Sequence, residues 1–431
     1  MSLRTGLKAK LKWLYPGLGI KRWLLLLGVG IALISLGGAI LLMNVLMPPS
    51  SVDPSQHPLL TLLLPWVSAL LLGLLGLGLT ATALLKLNQS LLSPFLAPGQ
   101  EKRVADLLYH HRRRDHGPRA VAIGGGTGLS SLLRGLKAHT TNITAVITVA
   151  DDGGSSGRLR HELGVLPPGD FRNCLAALAD DEALVTQLFH YRFGQKAVDG
   201  HSFGNLFITA MSSITGDFER ALVESSKVLA VRGRILPSTL ENVRLCADLR
   251  GEAEALGQGR VVEGESQIPK AGLPIERVFL QPSHVRAYPG AVQAILAADL
   301  IVIGPGSLYT SVLPNLLVED IARAIRASRA LKVYVCNVAI QPGETDGYDV
   351  TAHVAALERH VGPGLFDYVL ANDCFDIPLP SHLSRDALVA LDSGAIHGYR
   401  LIAADLVDQT NPWRHDSHKL AAVMMELCAK D

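Results

Sequence analysis

The chain has 431 residues, 48% of them hydrophobic and only 18% charged, with a mean hydropathy of +0.27. Soluble domains average about 25% charged residues, so part of this chain is built for a less polar setting. A formal net charge of +1 offers no global nucleic-acid surface; five scattered cysteines without a CxxC pair argue against a disulfide framework or a zinc site and suit a reducing compartment.

The charge deficit lies near the N-terminus. Residues 1–22 carry Arg4, Lys8, Lys10, Lys12, Lys21 and Arg22, after which 23–46 has no charged residue. A loop over 47–58 holds only Asp53, and 59–85 is again uncharged. Each uncharged run exceeds the roughly 20 residues that cross a hydrocarbon core of about 30 Å, and the first is too long for a signal-peptide core. Segment 86–119 is basic, with Lys86, Lys102, Arg103, Arg112, Arg113 and Arg114. Lys and Arg flank both outer ends and avoid the connecting loop, which predicts a multi-pass hairpin with both termini in the cytoplasm. Trp13, Trp23 and Trp66 suit interfacial depths. No ionisable group lies within either span, so the hairpin reads as an anchor and not a transport path. The cluster from His110 to Arg114 either docks on anionic lipid at about 1 kcal/mol per charge or only enforces topology. Its arginines make the histidine pair a poor metal site.

Residues 120–431 read as one α/β domain. Val121-Ala122-Ile123 is an apolar run that ends in Gly124-Gly125-Gly126-Thr127-Gly128, and Leu129, Leu132, Leu133 and Leu136 then recur at helical spacing. A second apolar run, Ile143 to Val149, leads into Asp151-Asp152-Gly153-Gly154-Ser155-Ser156-Gly157-Arg158. Leu166-Pro167-Pro168-Gly169-Asp170 opens a further helix. Later strands are expected at Leu300 to Ile303, Val333 to Val338, Tyr368 to Leu370 and Arg400 to Ile402. Apolar runs without strict alternation, separated by helical patterns, predict a doubly wound, mostly parallel, Rossmann-like sheet covered on both faces. Parallel neighbours would carry these loops to one sheet edge, where ligands sit in open α/β folds.

Gly124, Gly125, Gly126, Thr127 and Gly128 form either a phosphate cradle at a helix start or only a tight strand-to-helix turn. The spacing is not that of a dinucleotide fingerprint, because Leu129 stands where the third glycine is wanted, so NAD is not expected; no lysine follows to make a P-loop. In the second loop, Asp151 and Asp152 are placed to help hold Mg²⁺ against phosphate oxygens, while Gly153, Gly154, Ser155 and Ser156 supply donors and Arg158 can pair with phosphate. The alternative is an Asx-type turn with solvated carboxylates. Asp170 either caps its helix or joins the acids, and Arg172 and Asn173 on the same turn could meet the ligand. His201 and Asn205 could contact a sugar or base, or His201 is a helix-start residue. Gly304, Gly306, Ser307 and Thr310 repeat the glycine-and-hydroxyl pattern on a later strand. The loop Gln341 to Asp346 either closes over the site or is a surface turn. No nucleophile or acid–base pair is identifiable from these residues alone.

The motifs IGGGTGLS at Ile123, VADDGGSSGRLR at Val149, LPPGDFRNCLAAL at Leu166, HSFGN at His201, GPGSLYTSVLPNLL at Gly304 and CNVAIQPGETDGY at Cys336, with NPWRHDSHKL near the C-terminus, resemble the bacterial gluconeogenesis-factor family of the YvcK type. The resemblance covers essentially all of Ala120 to Asp431, leaving the hairpin as an added anchor in the plasma (inner) membrane. It implies binding of a nucleotide sugar such as UDP-N-acetylglucosamine and a role linking carbon metabolism to cell envelope synthesis and cell shape. The family resembles in turn the 2-phospho-L-lactate transferases, which share a CofD-like fold and use a nucleotide diphosphate donor with Mg²⁺. Carried across, their acids correspond to Asp151, Asp152 and Asp170 as metal ligands. The Gly-Gly-Ser-Ser-Gly-Arg and Pro-Pro-Gly-Asp-Phe-Arg-Asn surroundings depart from the transferase pattern. The expected partners are a nucleotide sugar or other nucleotide diphosphate and the membrane, with no nucleic acid; a homo-oligomer is left open.

Overall fold

The computed structural model describes residues 20–46, 58–92, 117–194, 200–250, 260–376, 387–391 and 398–430. The basic residues before Ile20, the body of the 47–58 loop and the His110 to Arg114 cluster lie outside the described residues. The chain divides into two units, Met1–Tyr109 and His110–Asp431.

The first unit is a helical hairpin, α1 (Ile20–Leu46) and α2 (Pro58–Leu92). Within it, Lys21–Leu46 and Trp66–Ser90 are long and apolar enough to cross a membrane, and few of their residues are buried. Core helices of a soluble protein would be mostly buried, so these present apolar surface outward. Glycines let the two backbones touch: a Cβ added at Gly37 would stand 2.8 Å from the Ala69 carbonyl oxygen, and one at Gly76 would stand 2.7 Å from that of Gly30. Small residues at the contact are the usual device by which helices pair in lipid.

The second unit begins with β1 (Ala120–Gly124), α3 (Gly126–Leu136) and β2 (Ile143–Ile147). Leu129, Leu132, Leu133 and Leu136 are all fully buried, as their spacing requires. Then come α4 (Gly154–Leu163), α5 (Gly169–Leu178), α6 (Glu182–His190), α7 (Phe203–Thr215), α8 (Phe218–Val228) and β3 (Arg234–Pro237). An antiparallel insert, β4 (Arg244–Leu249), β5 (Arg260–Glu263) and β6 (Ile275–Gln281), forms a separate sheet in the order β5-β4-β6. The sequence reading does not foresee it. The chain then returns through α9 (Pro289–Leu296) to β7 (Leu300–Ile303), a wide helical turn over Leu308–Val312, α10 (Leu313–Leu316), α11 (Glu319–Ala327) and β8 (Leu331–Val335). It continues with α12 (Val350–Val361), β9 (Tyr368–Asn372), β10 (Arg400–Ala404), the ribbon β11 (Val407–Asp408) and β12 (Asn411–His415), and α13 (Ser417–Lys430).

The main sheet runs β10-β9-β8-β7-β1-β2-β3, with every neighbouring pair parallel. The chain builds outward from β1 through β2 to β3, then restarts at β7 on the other side of β1. Ile123 therefore pairs with both Val146 and Ile303. The loops after β1 and β7 lie at the point where the winding reverses, and such a reversal opens a crevice at the carboxyl ends of the strands. At the opposite ends, the Arg119 backbone N–H and guanidinium donate to Asp299 at 2.9, 3.1 and 2.6 Å, clasping the feet of β1 and β7.

Candidate functional site

Helices α6, α7, α8 and α12 are each capped by a side chain, from Asp181, Ser202, Asp217 and Asp349. Helices α3, α4 and α5, which follow the glycine and acid loops, have no side-chain cap. The Asp170 carboxylate takes one α3 amide, that of Gly126; the other first-turn N–H groups of these helices are left for something else, and an anion is the natural guest.

The loops after β1 and β7 interlock. Gly126 has φ +65°, a backbone state that suits glycine, and a Cβ at Gly128 would stand 2.7 Å from the Pro305 carbonyl oxygen. Asn315, fully buried, donates Nδ2 to the Gly124 carbonyl at 3.0 Å and to the Ser311 carbonyl at 2.8 Å, tying the first loop to the turn after β7. Between them lies a cavity of about 210 Å³, lined by Gly125 to Gly128, Pro305 to Ser307, Asn337 to Gln341, and Trp413 to His415. Gln341 Nε2 reaches Ser307 Oγ at 2.6 Å, and the Asn337 side-chain oxygen accepts the Gly306 N–H at 3.3 Å. The Gln341 loop is therefore part of the wall and not a surface turn. His415 is buried and bonded to the Cys336 carbonyl at 3.1 Å; burial lowers it to about 4, so it is neutral near pH 7.

The acids form a second zone beside this cavity. Asp170 is not a cap. It sits within the first turn of α5 and accepts the Gly126 N–H, and burial, with the nearby Asp151 charge, pushes it up to about 7. Asp151 accepts the Gly153 N–H at 2.8 Å and is raised chiefly by burial. Asp152 accepts the Ser266 N–H at 2.8 Å, which draws the segment after β5 onto the site. That segment supplies Glu265, raised to about 8 by burial and then by the charges of Asp151, Asp170, Asp152 and Glu344. Glu344 accepts from Thr310 Oγ1 at 3.1 Å and is lifted to about 7 by burial; its Oε2 is buried without a hydrogen-bond partner. Burial is the leading cause at each of these raised groups, and the charges of neighbouring carboxylates add to it at Asp151, Asp170 and Glu265.

These are hard oxygen donors, which suits Mg²⁺ over softer metals. Among the described residues no three of His, Cys, Asp and Glu stand close enough to hold a metal by themselves. The set fits an ion that takes one or two carboxylates and completes its shell with water and phosphate.

Of the residues expected at a ligand, Gly125, Gly126, Thr127, Gly128, Gly306 and Ser307 line the cavity. Gly124 and Gly304 sit just beneath it, where their loops leave the strands, and Thr310 holds Glu344. Gly153 and Gly154 form the head of α4, followed by Ser155 and Ser156, both buried, and by the half-buried Arg158 on the next turn. Arg172 is turned inward: it donates to Ser202 Oγ at 2.8 Å, to the Asn205 side-chain oxygen at 3.3 Å and to that of Asn173 at 2.9 Å, bracing α5 against α7. Glu265, Asn315, Asn337, Trp413 and Arg414 are additional. Asn337, Trp413 and Arg414 fall within motifs that carry the family resemblance, whereas Glu265 has no local signal.

A family model described as 2-phospho-L-lactate transferase CofD matches residues 120–425. A relative from Nostoc sp. (strain PCC 7120), described as a gluconeogenesis factor, is 50% identical over 428 residues, 96% of this chain and 92% of its own. The chain belongs to the gluconeogenesis-factor family. The gluconeogenesis factor of Bacillus subtilis (strain 168) is 48% identical over 72% of this chain and 98% of its own. A crystal structure of a UPF0052-family protein from Bacillus halodurans superposes with a TM-score of 0.66 at 46% identity, over 71% of this chain and 99% of that one. The gluconeogenesis-factor fold is thus the seven-stranded domain with its crevice, and this member carries two apolar helices before it.

Proposed function

We propose that this gluconeogenesis factor is a membrane-anchored, nucleotide-sugar-binding regulator whose α/β domain works in the cytoplasm and links carbon metabolism to envelope synthesis and cell shape. The observation that carries the ligand reading is the cavity where the winding reverses, walled by two glycine loops and headed by an uncapped helix. A diphosphate seated there would accept from the α3 amides and from Thr127, Ser131 and Ser307, all of which line the cavity. Trp413 and Arg414 offer a flat surface and a guanidinium on the same wall. Mg²⁺ taken by one or two of Asp151, Asp170 and Glu265, its shell completed by water and phosphate, would offset the joint charge of the phosphates and the acids. The anchor reading is supported by the two outward-facing apolar helices and by the Lys and Arg at their outer ends. Titration calorimetry of the full-length protein in detergent with UDP-N-acetylglucosamine tests the ligand; micromolar binding is expected, and silence at millimolar ligand would refute it. GDP and NAD serve as comparison ligands.

A second reading is a Mg²⁺-dependent transferase that moves a phosphoryl-linked group from a nucleotide diphosphate donor. It is favoured by the transferase model over residues 120–425 and by the acids beside the cradle. Release of nucleoside monophosphate that disappears in Asp152→Asn would separate it from pure binding.

A further inference from the structure

The head of α4 holds a pair of side chains that the sequence reading does not join. Ser155 Oγ lies 2.8 Å from His201 Nδ1, and both residues are buried. Asn205 stands on the other side of the same hydroxyl, its Nδ2 at 3.0 Å from Ser155 Oγ and 3.4 Å from Ser156 Oγ. The orientation of that amide is fixed by chemistry: its opposite atom faces Arg172, at 3.3 Å, and a guanidinium only donates, so the atom there is the oxygen. Ser155 Oγ therefore receives a hydrogen from Asn205, and in the tautomer that carries the imidazole hydrogen on Nε2 its own hydrogen is directed at His201 Nδ1. A serine hydroxyl that accepts from an amide and donates to an imidazole nitrogen has the arrangement of an activated nucleophile.

Its position matches that role. Ser155 is the second residue of a ten-residue helix whose cap, Gly153, has no side chain, so the first-turn amides are available to an anion. Ser155 itself is 6% exposed, and Gly154, the residue before it at the head of the helix, is open to solvent. One residue further, Ser156 bonds to Asp151, so the pair adjoins the acid zone.

We propose that Ser155 is a covalent nucleophile toward phosphorus, with His201 as its general base and Asn205 and Arg172 as positioning residues. The proposal rests on the diphosphate reading of the site for its natural substrate. In the step, the Ser155 Oγ–P bond forms on the phosphate held at the α4 amides and the bond from that phosphorus to the bridging oxygen breaks. The other half of the diphosphate leaves with the electron pair, and the hydroxyl proton passes to His201 Nδ1. Attack of water or an acceptor hydroxyl on the same phosphorus then frees Ser155, which regains its proton from His201.

The test uses the full-length protein in detergent and a fluorophosphonate probe, which any activated serine attacks with loss of fluoride. Expected are a single adduct by intact mass and its assignment to Ser155 by peptide mapping. His201→Gln should slow labelling about 100-fold or more, while circular dichroism confirms folding. Ser155→Cys, which preserves the size of the side chain, should lose the serine adduct. Absence of an adduct on the wild-type protein, or equal labelling of the His201 variant, overturns the proposal. Calorimetry of the same preparation keeps the two ideas apart: binding of UDP-N-acetylglucosamine without labelling sinks the nucleophile and leaves the ligand reading. Labelling without binding sinks the ligand reading and sustains the serine.

Discussion

The Asp170 carboxylate accepts the backbone N–H of Gly126, so the loop that opens α5 is bonded to the glycine cradle that opens α3. A buried acid thus occupies one amide of a cradle suited to phosphate, and its charge state controls how that cradle meets an anion. Asp170→Asn removes the charge while retaining an acceptor. Affinity for UDP-N-acetylglucosamine without Mg²⁺ should rise above the wild-type value near pH 8, and the gain from adding Mg²⁺ should shrink; calorimetry at fixed pH measures both.

The raised carboxylates make a stability prediction with a definite sign. Asp170 and Glu344 stand at about 7 and Glu265 at about 8, above their ordinary 3.8 and 4.5. The folded chain therefore holds protons that the unfolded chain has lost, and stability falls as pH rises toward 8. Below about 6.5, buried His353, His360 and His415, all lowered, act in the opposite sense, so the clean window is from about 6.5 to 8. The melting temperature should decline across that window, and Glu265→Gln should flatten the decline. Millimolar Mg²⁺ should restore several degrees at the alkaline end and little at the acid end.

Gly128 tests the interlock of the two glycine loops. An alanine there would press on the Pro305 carbonyl, which is backbone and cannot swing aside. Gly128→Ala should cost about 1–3 kcal/mol in urea unfolding and reduce ligand affinity at least tenfold, since the loops must separate to admit the methyl group. A variant that unfolds and binds like wild type would show that they do not touch.

Asn315 is predicted to matter for stability more than for contact with ligand. Its Nδ2 serves two buried carbonyls, of which that of Gly124 also accepts the Thr148 N–H, so Asn315→Leu removes both side-chain bonds and should cost roughly 1–3 kcal/mol. Chemical denaturation checks the value.

For the hairpin, the expected topology places the 47–58 loop outside the cytoplasm. A membrane-impermeant maleimide applied to intact cells should label Ser51→Cys and leave the wild-type cysteines unmodified. Gly76→Leu should drive the helices apart, because the Gly30 carbonyl lies against that position. Crosslinking between cysteines placed on the two helices would report the separation.

The parallel sheet is legible from Val121 to Ile123, Ile143 to Val149 and Leu300 to Ile303, because strands buried on both faces must be apolar throughout. The glycine cradle is legible because few backbones need Gly124 to Gly128 in succession. Glu265 is not, since its role depends on an antiparallel insert whose strands β4 to β6 carry mixed exposure, and on the Asp152 contact with Ser266 far along the chain. The orientation of Arg172 is hidden for a similar reason. Its partners Ser202 and Asn205 sit on α7, and one-dimensional spacing records nothing of a neighbour about thirty residues away.

The clasp between Arg119 and Asp299 bears on mechanics. A pull applied at the start of the folded domain reaches the foot of a central strand hydrogen-bonded along its length to β2 and β7. Force applied there loads many backbone bonds in shear at once, so such a pull should leave the crevice at the far end of β1 undistorted.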